Sequence, residues 1–224
     1  MKKVVLLFFA FGLMLSACSK KDAENGLFNE VNGLKEMLQI SADTSVFNGA
    51  KVDGYFKNKA IKILLPKEIQ SIVDKPFVKP ILGGLAEELV LKLNRAAEGA
   101  ALKAKPILKK SINNLNFQDG WNIIWGNEHA ATDYFKGETF SDLEQAFRPS
   151  IQSELEAVGA QQLWASFSEK YNLLPGVSKL ETDLAKYTTE KALDGLFYMM
   201  AKEEAEIRQN PKAYSNDLIS LIFN

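Results

Sequence analysis

Residues 83–105, GGLAEELVLKLNRAAEGAALKAK, carry the strongest helical pattern in the chain. Apolar side chains recur there every three or four positions, the spacing that places residues on one face of an α-helix. The residues of this face are Leu85, Leu89, Leu93, Ala96, Ala97, Ala100 and Ala104. Leu91 and Leu102 would lie nearly opposite. Because a helix that is apolar on two sides is usually buried, this pattern predicts a central helix around which the rest of the chain packs.

The sequence on both sides of this stretch also has helical periodicity. Leu27–Leu38 predict a first amphipathic helix, which we expect the polar residues 41–58 to interrupt. Pro106 is expected to begin a new helix. Further helices are predicted at 67–74, 121–125, 128–135, 143–147, 149–158, 160–171 and 188–209, with a last one after Pro211. We therefore predict an all-α fold, a compact bundle of eight to ten helices with at most one short extended or strand segment near residues 60–65.

The composition limits the chemistry that the chain can perform. The 224 residues include 27 basic and 28 acidic side chains, one cysteine and one histidine. A single cysteine allows no internal disulfide and no cysteine-rich zinc site, and a single histidine allows no paired-histidine metal motif. The net charge of −1 argues against a nucleic-acid partner, which would require a basic surface. We expect no metal site and no cofactor.

The first 17 residues have the anatomy of an export signal. Lys2 and Lys3 precede an apolar run of roughly a dozen residues, which is too short to span a bilayer but has the length of a secretory signal core. Small residues then lead to Cys18, the only cysteine of the chain. This pattern resembles the lipobox of bacterial lipoproteins. The resemblance implies cleavage before Cys18, a diacylglycerol on its sulfur and an acylated amine.

The predicted organisation follows from this signal. Residues 1–17 are a lipoprotein signal peptide, residues 18–26 the lipidated cysteine and a flexible polar tether, and residues 27–224 a single helical domain. Two or more acyl chains anchor a protein stably, so the membrane would be contacted through the lipid on Cys18. Ser19 follows the cysteine rather than an aspartate, which resembles outer-membrane sorting and a location facing the periplasm. The charges after Cys18 could instead direct export to the cell surface.

Several spaced motifs give the mature chain a second resemblance. They occur as NRAAE at 94–98, AATDYF at 130–135, ALDGLF at 192–197, IRQNP at 207–211, DGYF at 53–56 and IKILLP at 61–66. Together they resemble the bacterial lipoprotein family catalogued as domain of unknown function family 4197. The resemblance implies a helical, exported, lipid-anchored protein. It supplies no established activity and no catalytic residues.

The three arginines predict which parts of the interior contain charged groups. Only Arg95, Arg148 and Arg208 are arginines, whereas the other 24 basic residues are lysines. Arginine is favoured where a planar, bidentate donor is needed, so these three predict partly buried ion pairs or an anion site. Glu204 falls on the apolar stripe of the last long helix and would need a cation or donors if it were buried. We expect Glu204, or its neighbour Glu203, to pair with Arg95 or Arg148. The candidate ion-pair or anion site is Arg95, Glu98, Arg148, Glu203, Glu204 and Arg208.

Aromatic residues form a second candidate site. Trp121 and Trp125 lie one helical turn apart, and Tyr134 and Phe135 follow on the next predicted helix. These four side chains could line an apolar ligand pocket, although core packing is the ordinary use of such spacing.

Three classes of function are compatible with these features. A structural, scaffold or interaction role with an unknown protein partner is favoured over catalysis. The alternative is a helical-bundle carrier of a small hydrophobic or anionic ligand. A third class is a histidine-independent enzyme that uses arginine and glutamate. A scaffold should expose apolar surface, a carrier should contain a pocket of about 300 Å³ or more, and an enzyme should bring perturbed carboxylates into a cleft.

Overall fold

The computed structural model describes residues 15–116 and 120–223, and of residues 15–28 it describes the backbone alone. These residues form eight α-helices and one 3₁₀ turn, with no β-strand among them. The helices are α1 (Leu15–Gly49), α2 (Lys67–Val73), α3 (Lys79–Asn114), α4 (Gly120–Ile124), α5 (Ala130–Ala157), α6 (Ala160–Asn172), α7 (Leu184–Gln209) and α8 (Asp217–Phe223), with the 3₁₀ turn at Pro211–Tyr214. The prediction of an all-α helical bundle is confirmed.

Helix α3 is the central element, as its apolar pattern indicates. It packs against α1, α5, α6 and α7, and its alanines are buried where these neighbours approach. The expected break at Pro106 is wrong, because α3 continues through this proline to Asn114. The buried side chains of Ala104, Leu108 and Ile112 continue the same face on both sides of Pro106, and their packing offsets the roughly 3 kcal/mol that an interior proline costs. Leu102 is exposed, so the second apolar side is not buried at that position.

Two other helices are longer than the sequence pattern predicted. Helix α1 continues to Gly49 because Ser41 and Ser45 are buried in line with Ala42 and Val46. The Ser41 hydroxyl donates to the Met37 carbonyl one turn earlier, which satisfies it inside the helix. Helix α5 replaces three predicted helices and runs through Pro149. A buried stripe holds it together; its members are Phe135, Leu143, Phe147, Ile151 and Leu155.

The N-terminal part of α1 includes residues assigned above to a tether. The backbone of residues 18–26 is helical and continuous with the rest of α1, so the predicted flexible conformation differs from the structure. Residues 1–14 of the predicted signal peptide lie outside the described residues, as do residues 117–119 just before α4. None of the helices described is long and apolar enough to serve as a membrane span.

The boundaries of α7 illustrate how caps act. The sequence pattern placed the start at Thr188, but Asp183 is the cap, and its side chain accepts from the Lys186 backbone N–H at 2.9 Å. Thr188 lies inside the helix and donates its hydroxyl to the Leu184 carbonyl. The predicted end at Gln209 is confirmed.

Gly159, with φ of 69°, separates α5 from α6 as expected, since glycine adopts this left-handed conformation readily.

Residues 50–66 form neither helix nor strand and cross the bundle as an irregular segment, which we call the crossing segment. Its extended part meets a side chain rather than another strand. Asn94 of α3 accepts from the Ile63 N–H at 2.8 Å and donates to the Ile63 carbonyl at 2.7 Å. This pair of bonds replaces a strand partner, which explains why an extended stretch near residues 60–65 is stable without a sheet.

Candidate functional site

The first cluster of charged residues fixes the crossing segment to α3. Glu98 is buried, and its Oε1 accepts from the consecutive backbone N–H groups of Tyr55 (3.1 Å) and Phe56 (3.0 Å). Its other oxygen accepts from Arg95 Nη1 at 2.5 Å. Arg95 lies one turn before Glu98 on the same helix, so the spacing NRAAE places both groups on one face.

Asp53 completes this cluster at the surface. Arg95 Nη2 donates to Asp53 Oδ1 at 2.7 Å, and Lys57 Nζ lies 2.7 Å from the other Asp53 oxygen. Hydrogen bonds from Lys57 and Arg95 lower the pKa of the Asp53 carboxyl below its ordinary value. The hydrogen bonds to Glu98 and Asp53 raise the pKa of the Arg95 guanidinium. These shifts keep the Asp53 carboxylate ionised and the Arg95 guanidinium protonated at neutral pH.

The second cluster joins three helices at the start of α5. Glu204 of α7 is completely buried and accepts from the backbone N–H groups of Ala131 (3.0 Å) and Thr132 (2.7 Å). These two donors belong to the first turn of α5, which has no intrahelical acceptors for them. Arg208 lies one turn later on α7 and donates through Nε to Glu204 at 2.9 Å. The carboxylate therefore serves as the N-terminal cap of another helix.

Arg208 connects the same cluster to α4. Its two terminal nitrogens donate to the carbonyls of Ile124 (2.7 Å) and Ile123 (2.9 Å) at the end of that helix. The guanidinium also lies over the ring of Phe223, 4.7 Å from its centre. All three nitrogens of the guanidinium thus donate, one to the carboxylate and two to carbonyls, whereas the single nitrogen of a lysine would reach only part of this set.

The predicted partners of Glu204 are wrong. Glu204 pairs with Arg208, its own neighbour at i+4, and not with Arg95 or Arg148, because the helical spacing already supplies a cation. Glu203 is partly exposed and accepts from the Tyr214 hydroxyl at 3.0 Å. Arg148 pairs with Asp183 at the surface, where it adds a charge to the cap of α7. All three arginines form ion pairs, but in three separate places, and the pair of Arg148 with Asp183 is exposed rather than partly buried.

The four aromatic residues neither line a common pocket nor all pack in the core, which is the ordinary use of their spacing. Trp121 and Trp125 stack on each other with ring centres 6.2 Å apart, but they are 59% and 73% exposed. Phe135 is buried in the core against Phe197, and Tyr134 donates its hydroxyl to the Asn116 carbonyl. Helix α4 has only five residues and buries Gly120, Ile123 and Ile124, so Trp121 within it and Trp125 just after its end both point away from the bundle.

A cleft that the sequence reasoning missed lies between the crossing segment, the start of α5 and the middle of α7. Its volume is about 480 Å³, and it is partly open to solvent. Three of the motifs quoted above meet in it, through residues 61–63, residues 132–133, and residues 194, 195 and 197. Charged side chains on its walls are Lys62, Asp133, Lys136, Lys191 and Asp194. The spacing of Lys191 and Asp194 on one helix face was the available signal, but nothing in the sequence placed Lys62 and Lys136 beside them.

Close packing forms the floor of this cleft. Tyr55 is fully buried and donates its hydroxyl to the Ala192 carbonyl at 2.7 Å. A methyl group on Gly195 would lie only 2.6 Å from the Tyr55 ring, so glycine is required where the crossing segment meets α7. Burial raises the pKa of the Tyr55 phenol, which stays protonated and anchors the segment. The position of Ile61 and Lys62 on the cleft wall follows from this contact.

The described residues contain no group of three or more histidine, cysteine, aspartate or glutamate side chains that could hold a metal ion. The single histidine, His129, contacts a backbone carbonyl and a neighbouring glutamate. One ring nitrogen lies 3.0 Å from the Ala201 carbonyl, and the other lies 3.4 Å from Glu128.

Comparisons with known proteins agree with the motifs that suggested a family. A search of curated proteins and a search of solved structures each found no match. A family model described as protein of unknown function (DUF4197) matches residues 26–224, which is nearly all of the chain after the predicted signal and tether. The chain therefore belongs to this family of proteins of unknown function.

Proposed function

We propose that the chain is a lipid-anchored cell-envelope protein with a structural or interaction role at the periplasmic face of the outer membrane. The signal pattern that ends at Cys18 supports the anchor. The structural observation that carries the interaction role is the exposed pair of stacked tryptophans, Trp121 and Trp125. Two adjacent tryptophans in water cost free energy unless another surface covers them, and tryptophan is enriched both at protein interfaces and at membrane interfaces.

The tryptophan pair lies beside the helix that leads from the proposed anchor. The backbone of Gly120, next to Trp121, lies near Glu30 and Leu34 of α1. Helix α8 packs on the same part of α1, with Ile222 against Gly33, and it exposes Leu221. Twelve residues separate Cys18 from Glu30, which is about 18 Å along a helix. In this proposal α1 lies along the bilayer that holds the lipid, which brings the tryptophans to its surface.

The bilayer surface is the partner that best fits this arrangement. Indole rings favour the boundary between headgroups and acyl chains, where their apolar body and polar N–H are both accommodated. The contact would orient the domain relative to the membrane and leave the other surfaces open to the periplasm. The buried carboxylates Glu98 and Glu204 support a non-catalytic role, because both are occupied by backbone donors and arginines.

Fractionation of cells tests the anchor. The wild-type protein should sediment with membranes and resist a high-salt wash, whereas Cys18→Ala should move to the soluble periplasmic fraction, because a single helical domain without acyl chains has only weak membrane affinity. A Cys18→Ala protein that stays in the washed membranes would refute lipid anchoring.

Fluorescence quenching tests the contact. The purified lipidated protein is inserted into phosphatidylethanolamine/phosphatidylglycerol vesicles with brominated acyl chains, which quench only nearby indoles. Strong quenching is expected in the wild type and little in Trp121→Phe/Trp125→Phe, which retains only Trp164. Absence of quenching in the wild type would show that a protein or solvent, and not the bilayer, faces these residues.

A matched control separates membrane contact from general exposure of apolar surface. Phe47 and Val52 are 63% and 81% exposed, comparable with the tryptophans. Phe47 lies near the other end of α1, about 26 Å from Glu30 along the helix, and Val52 follows just after that helix ends. Phe47→Ser/Val52→Ser should leave the quenching of Trp121 and Trp125 unchanged. An equal loss of quenching in this variant would contradict the proposed orientation.

A further inference from the structure

We propose that the cleft between the crossing segment, α5 and α7 binds a small organic anion, with its charged group held by Lys136 and Lys191. The volume of about 480 Å³ is in the range of small-molecule sites. The proposal goes beyond the membrane role and does not depend on it, because the tryptophan pair and this cleft share no residues.

The charge of the cleft favours an anion. Three lysines and two aspartates line it, which gives a net charge of +1. Lys136 Nζ lies 2.8 Å from one oxygen of Asp194, and Lys191 Nζ lies 3.5 Å from the other. One carboxylate thus holds two ammonium groups side by side and leaves one positive charge uncompensated there. Lys62 forms no ion pair with any residue that the structure describes, and it lies over the ring of Phe56, 4.1 Å from its centre.

The remaining walls suit the body of an organic ligand. Phe197 forms part of the apolar wall, and Lys136 Nζ lies 5.7 Å from the centre of its ring. Tyr198 exposes its ring to the same space. Thr132 is almost completely buried at the cleft, and its hydroxyl has no hydrogen-bond partner among the described residues. A buried hydroxyl without a partner is unfavourable, and a ligand oxygen is an acceptor that would satisfy it.

The role of Asp194 gives the proposal a distinctive consequence. If the ligand is an anion, the Asp194 carboxylate competes with it for the two ammonium groups. Asp194→Asn removes this competitor and raises the net charge of the cleft from +1 to +2 while keeping the side-chain shape. The variant should therefore bind anions more tightly, whereas loss of a carboxylate would weaken the binding of a cation.

Isothermal titration calorimetry on the full mature chain carrying Cys18→Ala tests these expectations. The probes are phenyl phosphate, benzoate and benzylamine, which share an aromatic body and differ in the charged group. We expect saturable millimolar or tighter binding of phenyl phosphate or benzoate, about tenfold weaker binding in Lys136→Gln and in Lys191→Gln, and about tenfold tighter binding in Asp194→Asn. A response to phenyl phosphate alone assigns a phosphate ligand, and a response to benzoate alone assigns a carboxylate ligand.

Lys103→Gln is the matched control. Lys103 forms an ion pair with Glu154 at 2.8 Å outside the cleft, and its side chain is 48% exposed, compared with 47% for Lys191. This variant should bind the anion as the wild type does. The proposal is overturned if neither anion binds, if Lys103→Gln weakens binding as much as Lys191→Gln, or if benzylamine binds and Asp194→Asn abolishes its binding. Circular dichroism confirms that each variant is folded, and the gain of affinity in Asp194→Asn is a result that a misfolded variant cannot give.

Discussion

Replacing Glu204 should destabilise the fold more than any other single change to a charged side chain in the second cluster. Its carboxylate is completely buried and accepts from two backbone N–H groups and from Arg208. Glu204→Ala leaves the donors of Ala131 and Thr132 without a partner and removes the anion from a guanidinium whose side chain is only 10% exposed. Breaking a buried ion pair by deleting one partner costs about 3–5 kcal/mol.

The neighbouring residue supplies the control for this prediction. Glu203 is partly exposed and accepts a hydrogen bond from the Tyr214 hydroxyl at 3.0 Å. Glu203→Ala should therefore cost about 0.5–1.5 kcal/mol, the net value of an ordinary hydrogen bond. Glu204→Gln keeps the shape of the side chain but turns one acceptor into a donor, so its cost should lie between the two.

Urea unfolding followed by far-UV circular dichroism measures the difference. The unlipidated Cys18→Ala protein serves as the reference, and the free energy of unfolding is extrapolated to water for each variant. Domains are stable by about 5–15 kcal/mol, so Glu204→Ala should remain folded with a much lower midpoint. A Glu204→Ala loss below about 1 kcal/mol, or a loss equal to that of Glu203→Ala, would refute the claim that this carboxylate holds the start of α5.

Two further changes test the packing of the crossing segment. Gly195→Ala should lower the free energy of unfolding by about 1–3 kcal/mol, because the new methyl group would lie 2.6 Å from the Tyr55 ring. A methyl group on Gly84 would have no neighbouring atom within 4 Å, so Gly84→Ala should stabilise α3 by about 0.5–1 kcal/mol. Thermal melts of the two variants check this, and equal shifts would contradict it. Burial raises the pKa of Tyr187 to about 12, above the value of about 10 that tyrosine has in an unfolded chain. The protonated Tyr187 hydroxyl therefore contributes fully to stability below about pH 10, and this contribution is lost as the pH rises toward 12. Tyr187→Phe removes the hydroxyl that donates to the Leu64 carbonyl and should make the fall of unfolding free energy between pH 10 and 12 less steep; an unchanged slope would argue against this assignment.

The all-α class could be predicted because the apolar period recurs through nearly the whole chain. Helix ends were harder to predict where packing overrides local signals. Pro106 and Pro149 normally end helices, but buried side chains on both sides hold α3 and α5 continuous. Ser41 and Ser45 seemed to belong to a polar loop, whereas their hydroxyls lie within a buried helix face.

The arginines show the same limit for the candidate site. Arg208 satisfies a carboxylate and two backbone carbonyls together, which suits the planar fork of a guanidinium. The partners of the arginines could not be predicted, since Arg95 reaches Asp53 only through the path of the crossing segment. The two tryptophans had the spacing of a core pair, but the short α4 turns them toward solvent. The cleft combines residues from three distant segments, which no local pattern connects.

The intact mass of the protein purified from its native membrane tests the proposed anchoring most directly. Lipid anchoring predicts a chain that begins at Cys18, with a mass increased by a diacylglycerol on sulfur and an acyl group on the amine. The N-terminal peptide should carry this added mass, and Cys18→Ala should lack it. A mature chain that retains residues 1–17, or that carries an unmodified Cys18 thiol, would contradict the account.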